Sequence, residues 1–177
     1  IEFAGNTDYS IMPTYSTYNN VKVSGTGKRY LPPANATLTG SLTINGTNST
    51  LELRNDANIN LEIKKDLTFT QGVFYAGIYA SPTAESKIIF SGNVAQNING
   101  PLAFTGSNSL NRLEINNAAG LNVKTNVDIN NLLSFVNGRI WVGDANSLNV
   151  QNSTEASISG ASSTNYVDGT LGKQIVA

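Results

Sequence analysis

One short pattern recurs along the whole chain, and its period constrains the fold more than any other feature. The pattern is apolar, any residue, apolar, in most copies a small polar residue, then Gly or an amide. The first copies are Ile1-Glu2-Phe3-Ala4-Gly5, Val21-Lys22-Val23-Ser24-Gly25 and Leu42-Thr43-Ile44-Asn45-Gly46. Taking the third residue of each copy as its anchor, the anchors fall at 3, 23, 44, 69, 90, 115, 135 and 158. Successive anchors are 20 to 25 residues apart. Longer matches fit multiples of the same unit. The stretch from Leu67 to Gly77 resembles that from Leu133 to Gly143, a shift of 66. The stretch from Ile1 to Asn6 resembles that from Ile88 to Asn93, a shift of 87. Self-similarity at several multiples of one period is the mark of a solenoid.

Within a period, apolar and polar residues alternate, as in a strand with one buried face. The Gly or Asn that follows supplies the backbone freedom of a sharp corner. Further alternating patches, such as Ile59-x-Leu61-x-Ile63 and Leu148-x-Val150, give two or three short strands per period. One turn alone does not bury its apolar face, so turns must stack. The sequence therefore predicts an all-β chain: a parallel β-helix (β-solenoid), right-handed, of about eight turns of roughly 22 residues. Residues 1–177 are expected to form a single solenoid segment with two related halves, 1–87 and 88–177, excised from a longer repetitive protein. Asn-rich corners are expected to stack their amides and satisfy backbone groups. A β-sandwich is the competing fold, but it gives no reason for a near-constant period.

Composition narrows the chemistry. The chain has no Cys and no His, and its formal net charge is −1. Mechanisms that use His or Cys, and zinc sites built from them, are excluded. With no basic excess to neutralise phosphates, nucleic acid is not an expected partner. No apolar stretch approaches the roughly 20 residues of a membrane helix, so membrane insertion is not expected. The chain opens on Ile1 rather than Met, in keeping with a start inside a longer precursor. Asn, Ser, Thr and Gly together make about 42% of the residues, which implies a surface solvated by neutral polar groups.

Candidate sites follow from positions that face outward. The residue before each anchor reads Glu2, Lys22, Thr43, Thr68, Ile89, Glu114, Ser134, Ser157, and this series contains no neighbouring carboxylates. A glycosidase needs two carboxyls about 5–9.5 Å apart, so no catalytic residues are assigned and the chain is not read as an enzyme. Asp56 and Asp144 sit in matching Asp-Ala-Asn turns, which are read as turn chemistry rather than calcium ligands. No cofactor and no metal are expected. If Phe74 and Ala76 face inward, Tyr75 faces out, and Trp141 does likewise between Ile140 and Val142. The two would lie at one phase, three turns apart, as possible ligand-contact aromatics that stack on sugars or on another protein. Tyr9, Tyr15, Tyr18 and Tyr30 are expected to fill wide or looped-out early turns. A threonine surface for ice is disfavoured, because charges and Ile89 break the outward series.

The run Phe90-Ser91-Gly92-Asn93-x-x-Gln96-x-Ile98-x-Gly100 leads into Asn111-Arg112-Leu113-Glu114-Ile115-Asn116-Asn117 and then Leu133-Ser134-Phe135-Val136-Asn137-Gly138. With Ser163 to Leu171 it resembles the repeat units of large secreted β-solenoid proteins of Bacteroidetes bacteria. These include adhesin-like surface proteins and cargo of the type IX secretion system. The resemblance covers residues 88–172 well and the first half more loosely, and it carries over no catalytic residues. It implies a secreted or cell-surface location. The expected role is a structural and adhesive module, a rigid stalk or filament repeat. Its expected partners are neighbouring repeats of the same protein, with glycans or host and cell-surface proteins as further ones. The alternative is a carbohydrate-binding or accessory domain of a secreted polysaccharide-degrading enzyme.

Overall fold

Alternation of apolar and polar residues produces strands here, and every strand pair among the described residues is parallel. The computed structural model describes residues 1–11, 17–31, 34–53, 58–76 and 85–175. The strands form parallel β-sheets of ten and nine strands, joined by neighbours about one turn apart in sequence. Among the described residues helix is limited to the 3₁₀ turns Gly106–Asn108 and Glu155–Ser157, and none is long and apolar enough to cross a membrane. The chain is a β-solenoid.

Three faces surround the core. The first is built from Glu2–Phe3, Val21–Val23, the start of Leu42–Glu52, the start of Leu67–Tyr75, Gln96–Asn99, Leu121–Val123, Ile140–Val142 and Val167–Asp168. The second begins with Tyr9–Ser10 and Lys28–Tyr30, which pair in register with one another and then with Thr50 to Glu52. The third runs through Thr17–Tyr18, Ala36–Leu38, Asn60–Ile63, Lys87–Phe90, Leu110–Asn116 and the end of Val127–Asn137. Long strands such as Leu42–Glu52 bend around a corner, where their register shifts. Seven turns pass through all three faces, and Val167–Asp168 and Leu171–Lys173 begin the next.

The period is right, but the anchors change face. Phe3, Val23, Ile44 and Phe69 lie on the first face. Phe90, Ile115 and Phe135 lie on the third. Ile158 pairs with Leu133, not with Phe135, so the last anchor is two residues out of step. The cause is one long turn. Leu67 stacks on Ile98, 31 residues later, so a count of 21 from Phe69 reaches the third face instead. Apolar alternation looks the same on every face. The match between 67–77 and 133–143 therefore aligns two different corners of the same build. Gly72 and Gly138 end those corners with φ of +105° and +101°, conformations that residues with a Cβ rarely adopt.

Inward residues interlock across turns. Phe104 meets Phe69 at 5.0 Å and Phe74 edge-on at 5.9 Å between ring centroids. All three are fully buried, and each contributes about 2–3 kcal/mol through the area it removes from water. Polar residues also enter the core, each with partners. Gln96, opposite Leu121, donates to the carbonyls of Ile63 and Lys65 and accepts from Gly92 N–H and Asn117 Nδ2. Arg29 is fully buried, donates to the carbonyls of Thr7, Gly5 and Ser24, and lies 4.4 Å from the Tyr9 ring.

The expected amide stacking takes a specific form. Asp8, Asn20, Asn35, Asn58, Asp66 and Asn126 each accept, through Oδ1, a backbone N–H from the following turn. These bonds reach groups that a corner would otherwise leave unpaired.

Candidate functional site

The two aromatics chosen from sequence do not share a surface. Tyr75 pairs with Glu52 on the second face, whereas Trp141 lies on the first face between Asn122 and Asp168. The supposed common phase is corrected by the register, because the long turn moves the copies to different corners. Both are half-buried. Trp141 also has a covered ring. The Arg139 guanidinium carbon lies over it at 4.1 Å from the centroid. The six-membered ring of Trp141 also lies close against the backbone at Gly120, leaving no room for a Cβ there.

Arg139 is held as well as stacked. Its Nη1 donates to the Tyr166 hydroxyl at 3.0 Å. A corner turn shapes the adjoining wall: Asn165 Oδ1 accepts from Gly138 N–H, and Ser162 N–H donates to the Asn165 carbonyl. Between these parts lies a cleft of about 430 Å³ with Ala118, Ala119, Ser163 and Thr164 on its walls. It combines methyl groups, hydroxyls and one oriented cation.

The other early candidates have mostly structural positions. Tyr9 and Tyr18 point inward, half-buried against the core, and the Tyr9 hydroxyl donates to the Ala4 carbonyl. Tyr30 is half-buried on the second face between Ser10 and Glu52, and Tyr15 lies outside the described residues. Asp144 sits in an exposed turn closed by Asn146 N–H on the Gly143 carbonyl, and Asp56 lies outside the described residues. Among the described residues no three or more Asp or Glu group together as a metal site would need. Thr43 and Thr68 stack on one another but are flanked by Lys22 and Asn99.

A second groove was missed by the outward series. On the third face Asn60, Lys87 and Arg112 are direct register partners, one per turn. Lys87 Nζ meets Glu114 at 2.5 Å, and Arg112 Nη2 meets Glu85 at 3.1 Å. With Asn35 and Asn58 these side chains border a groove of about 380 Å³. The signal was present at another phase, three residues before anchors 90 and 115, where Lys87 and Arg112 stand. The series had mixed two faces and read only the residue before each anchor. Each cation here is matched by a carboxylate, so the groove offers hydrogen bonds without a net charge.

The register also places two carboxylates of the third face in one file. Glu62 and Glu114 share an outward file with Ile89 between them, roughly 10 Å apart by two strand spacings. Burial would raise the Glu62 pKa, but hydrogen bonds from Ser91 and Thr37, helped by the Lys64 charge, hold it below the ordinary value. A general acid requires the opposite direction.

No family model, curated protein or solved structure matches this chain.

Proposed function

We propose that this chain is a structural and adhesive module, a rigid segment of an extracellular bacterial surface protein. The observation that carries the reading is the stack itself. One apolar core runs from Ile11 to Val150, and side-chain bonds at the corners tie successive turns together. Such a stack resists bending and sets a fixed spacing between whatever it joins. Its outward positions are mainly neutral and polar, which suits exposure to a medium outside the cell. The resemblance of residues 88–172 to repeats of secreted Bacteroidetes solenoids supports the same assignment, including export by type IX secretion. Partly exposed Val167 and exposed Leu171 lie on strands paired on one side only, and a neighbouring repeat would extend them.

The test is made on the organism that encodes the chain. Antibodies against it should label intact cells, and deletion of the segment should reduce attachment to a surface. Labelling confined to permeabilised cells would overturn the location, and unchanged attachment would overturn the adhesive role. A second reading, an accessory carbohydrate-binding domain of a secreted polysaccharide-degrading enzyme, is favoured by the cleft beside Trp141. Gene context separates the two: tandem copies support the stalk, and one copy beside a catalytic domain supports the accessory role.

A further inference from the structure

Arg139 differs from most of the cations the structure positions. Lys22, Lys64, Lys87 and Arg112 each have a carboxylate partner, and Arg29 and Lys173 are held by backbone carbonyls. Arg139 is exposed, has no carboxylate within ion-pair distance among the described residues, and is nonetheless fixed in orientation. Its guanidinium carbon lies over the Trp141 ring at 4.1 Å from the centroid, and the Tyr166 hydroxyl takes one of its five N–H groups. The remaining donors form a fork beside the cleft. A planar, pre-oriented guanidinium with free N–H groups matches a carboxylate in geometry and charge.

The rest of the cleft narrows the class of ligand. Ala118 and Ala119 offer methyl groups to the C–H face of a ring, and Ser163 and Thr164 are exposed hydroxyl residues within hydrogen-bond reach of whatever fills the cleft. Trp141 does not take the sugar on its own face, since Arg139 already covers it. We infer that this cleft binds a polysaccharide bearing carboxylates, a uronic-acid polymer, with Arg139 as the carboxylate-binding residue and Trp141 and Tyr166 as positioning residues. Asp168, one turn beyond Trp141 in the same file, is the charge that such a ligand must avoid. The inference rests on the adhesive reading only for where such a polymer would be met.

The experiment is affinity electrophoresis of the purified chain in gels containing polygalacturonate, alginate, neutral dextran, dextran sulfate or poly-glutamate. Retardation by the two polyuronates and not by neutral dextran is expected. Arg139→Gln should weaken it about tenfold or more, the loss of one charge-assisted contact pair. Arg139→Lys should also fail to restore it, because an ammonium neither stacks flat nor presents a fork. Trp141→Phe, which keeps a ring under the guanidinium, should weaken it less than Arg139→Gln. An unchanged melting temperature in each variant shows that the fold is intact. Equal retardation of wild type and Arg139→Gln overturns the site. Equal retardation by dextran sulfate or poly-glutamate overturns the assignment to uronates. Neither result bears on whether intact cells are labelled, so this inference and the surface role fail separately.

Discussion

Replacing Gln96 by Leu tests whether the buried polar residues hold the turns together or merely fill space. Leu has a similar volume and is at home beside Leu121, so packing changes little. Four hydrogen bonds are lost: two donated to the carbonyls of Ile63 and Lys65, one accepted from Gly92 N–H, and one from Asn117 Nδ2. The Ile63 carbonyl keeps Ser91 N–H, and Asn117 Nδ2 keeps the carbonyls of Val94 and Gly120. Two backbone groups, Gly92 N–H and the Lys65 carbonyl, lose the partner described here. Each unsatisfied buried group costs about 1–3 kcal/mol. Both lie toward the surface, where water recovers part of this, and the added apolar side chain returns about 1 kcal/mol. The net expectation is destabilisation of about 2–3 kcal/mol. Urea denaturation followed by circular dichroism measures it. Hydrogen exchange should show lost protection first at residues 92 and 97 and last in the early turns, because neighbouring turns couple only locally. Asn97→Ala is the matched control on the outward side, where the effect should stay below about 1 kcal/mol. A Gln96→Leu protein as stable as wild type, or one that loses protection uniformly, would refute the reasoning.

Two further expectations follow from single positions. Hydrogen bonds hold the folded Glu62 pKa below the ordinary carboxylate value, so its contribution is complete above that ordinary value and disappears as pH falls through the lower folded one. Glu62→Gln should therefore lower the melting temperature at neutral pH and shrink the drop between neutral pH and pH ~3; an unchanged drop would contradict the assignment. Gly138→Ala places a Cβ against the Asn117 carbonyl at a φ of +101°, and should destabilise by about 2–4 kcal/mol in the same urea assay. A loss below ~0.5 kcal/mol would show that the corner relaxes freely.

The fold was legible in the sequence because one physical rule, alternation, acts in every turn. Which face a given copy occupies was not legible. Ile88-x-Phe90 and Leu67-x-Phe69 carry the same signal, and only the register with Leu61 and Leu42 separates them. That ambiguity moved Tyr75 and Trp141 onto one imagined surface and hid the Lys87–Arg112 file. Trp141 itself was legible as an outward aromatic. Its partner was not, since nothing in Asn137-Gly138-Arg139-Ile140-Trp141 says that the guanidinium folds back over the indole. Gln96 and Arg29 were also unreadable as core residues. Burial of such groups depends mostly on carbonyls from other turns, 22 to 33 residues away.

The corner bonds impose a direction on assembly. Among the described residues, eight Asp or Asn oxygens accept a backbone N–H from a neighbouring turn; in six, from Asp8 to Asn126, the acceptor lies in the earlier turn and the donor in the later one, whereas Asn108 and Asn165 accept from Phe74 and Gly138 of the earlier turn. At those six corners a completed turn already displays the oxygen that its successor needs. Contacts between turns span some twenty or more residues, which makes folding from a fully free chain slow. A chain that emerges N-terminus first faces a smaller task, since each new stretch closes on a finished template. Growth by one turn at a time turns a problem of long-range search into a series of short, identical captures.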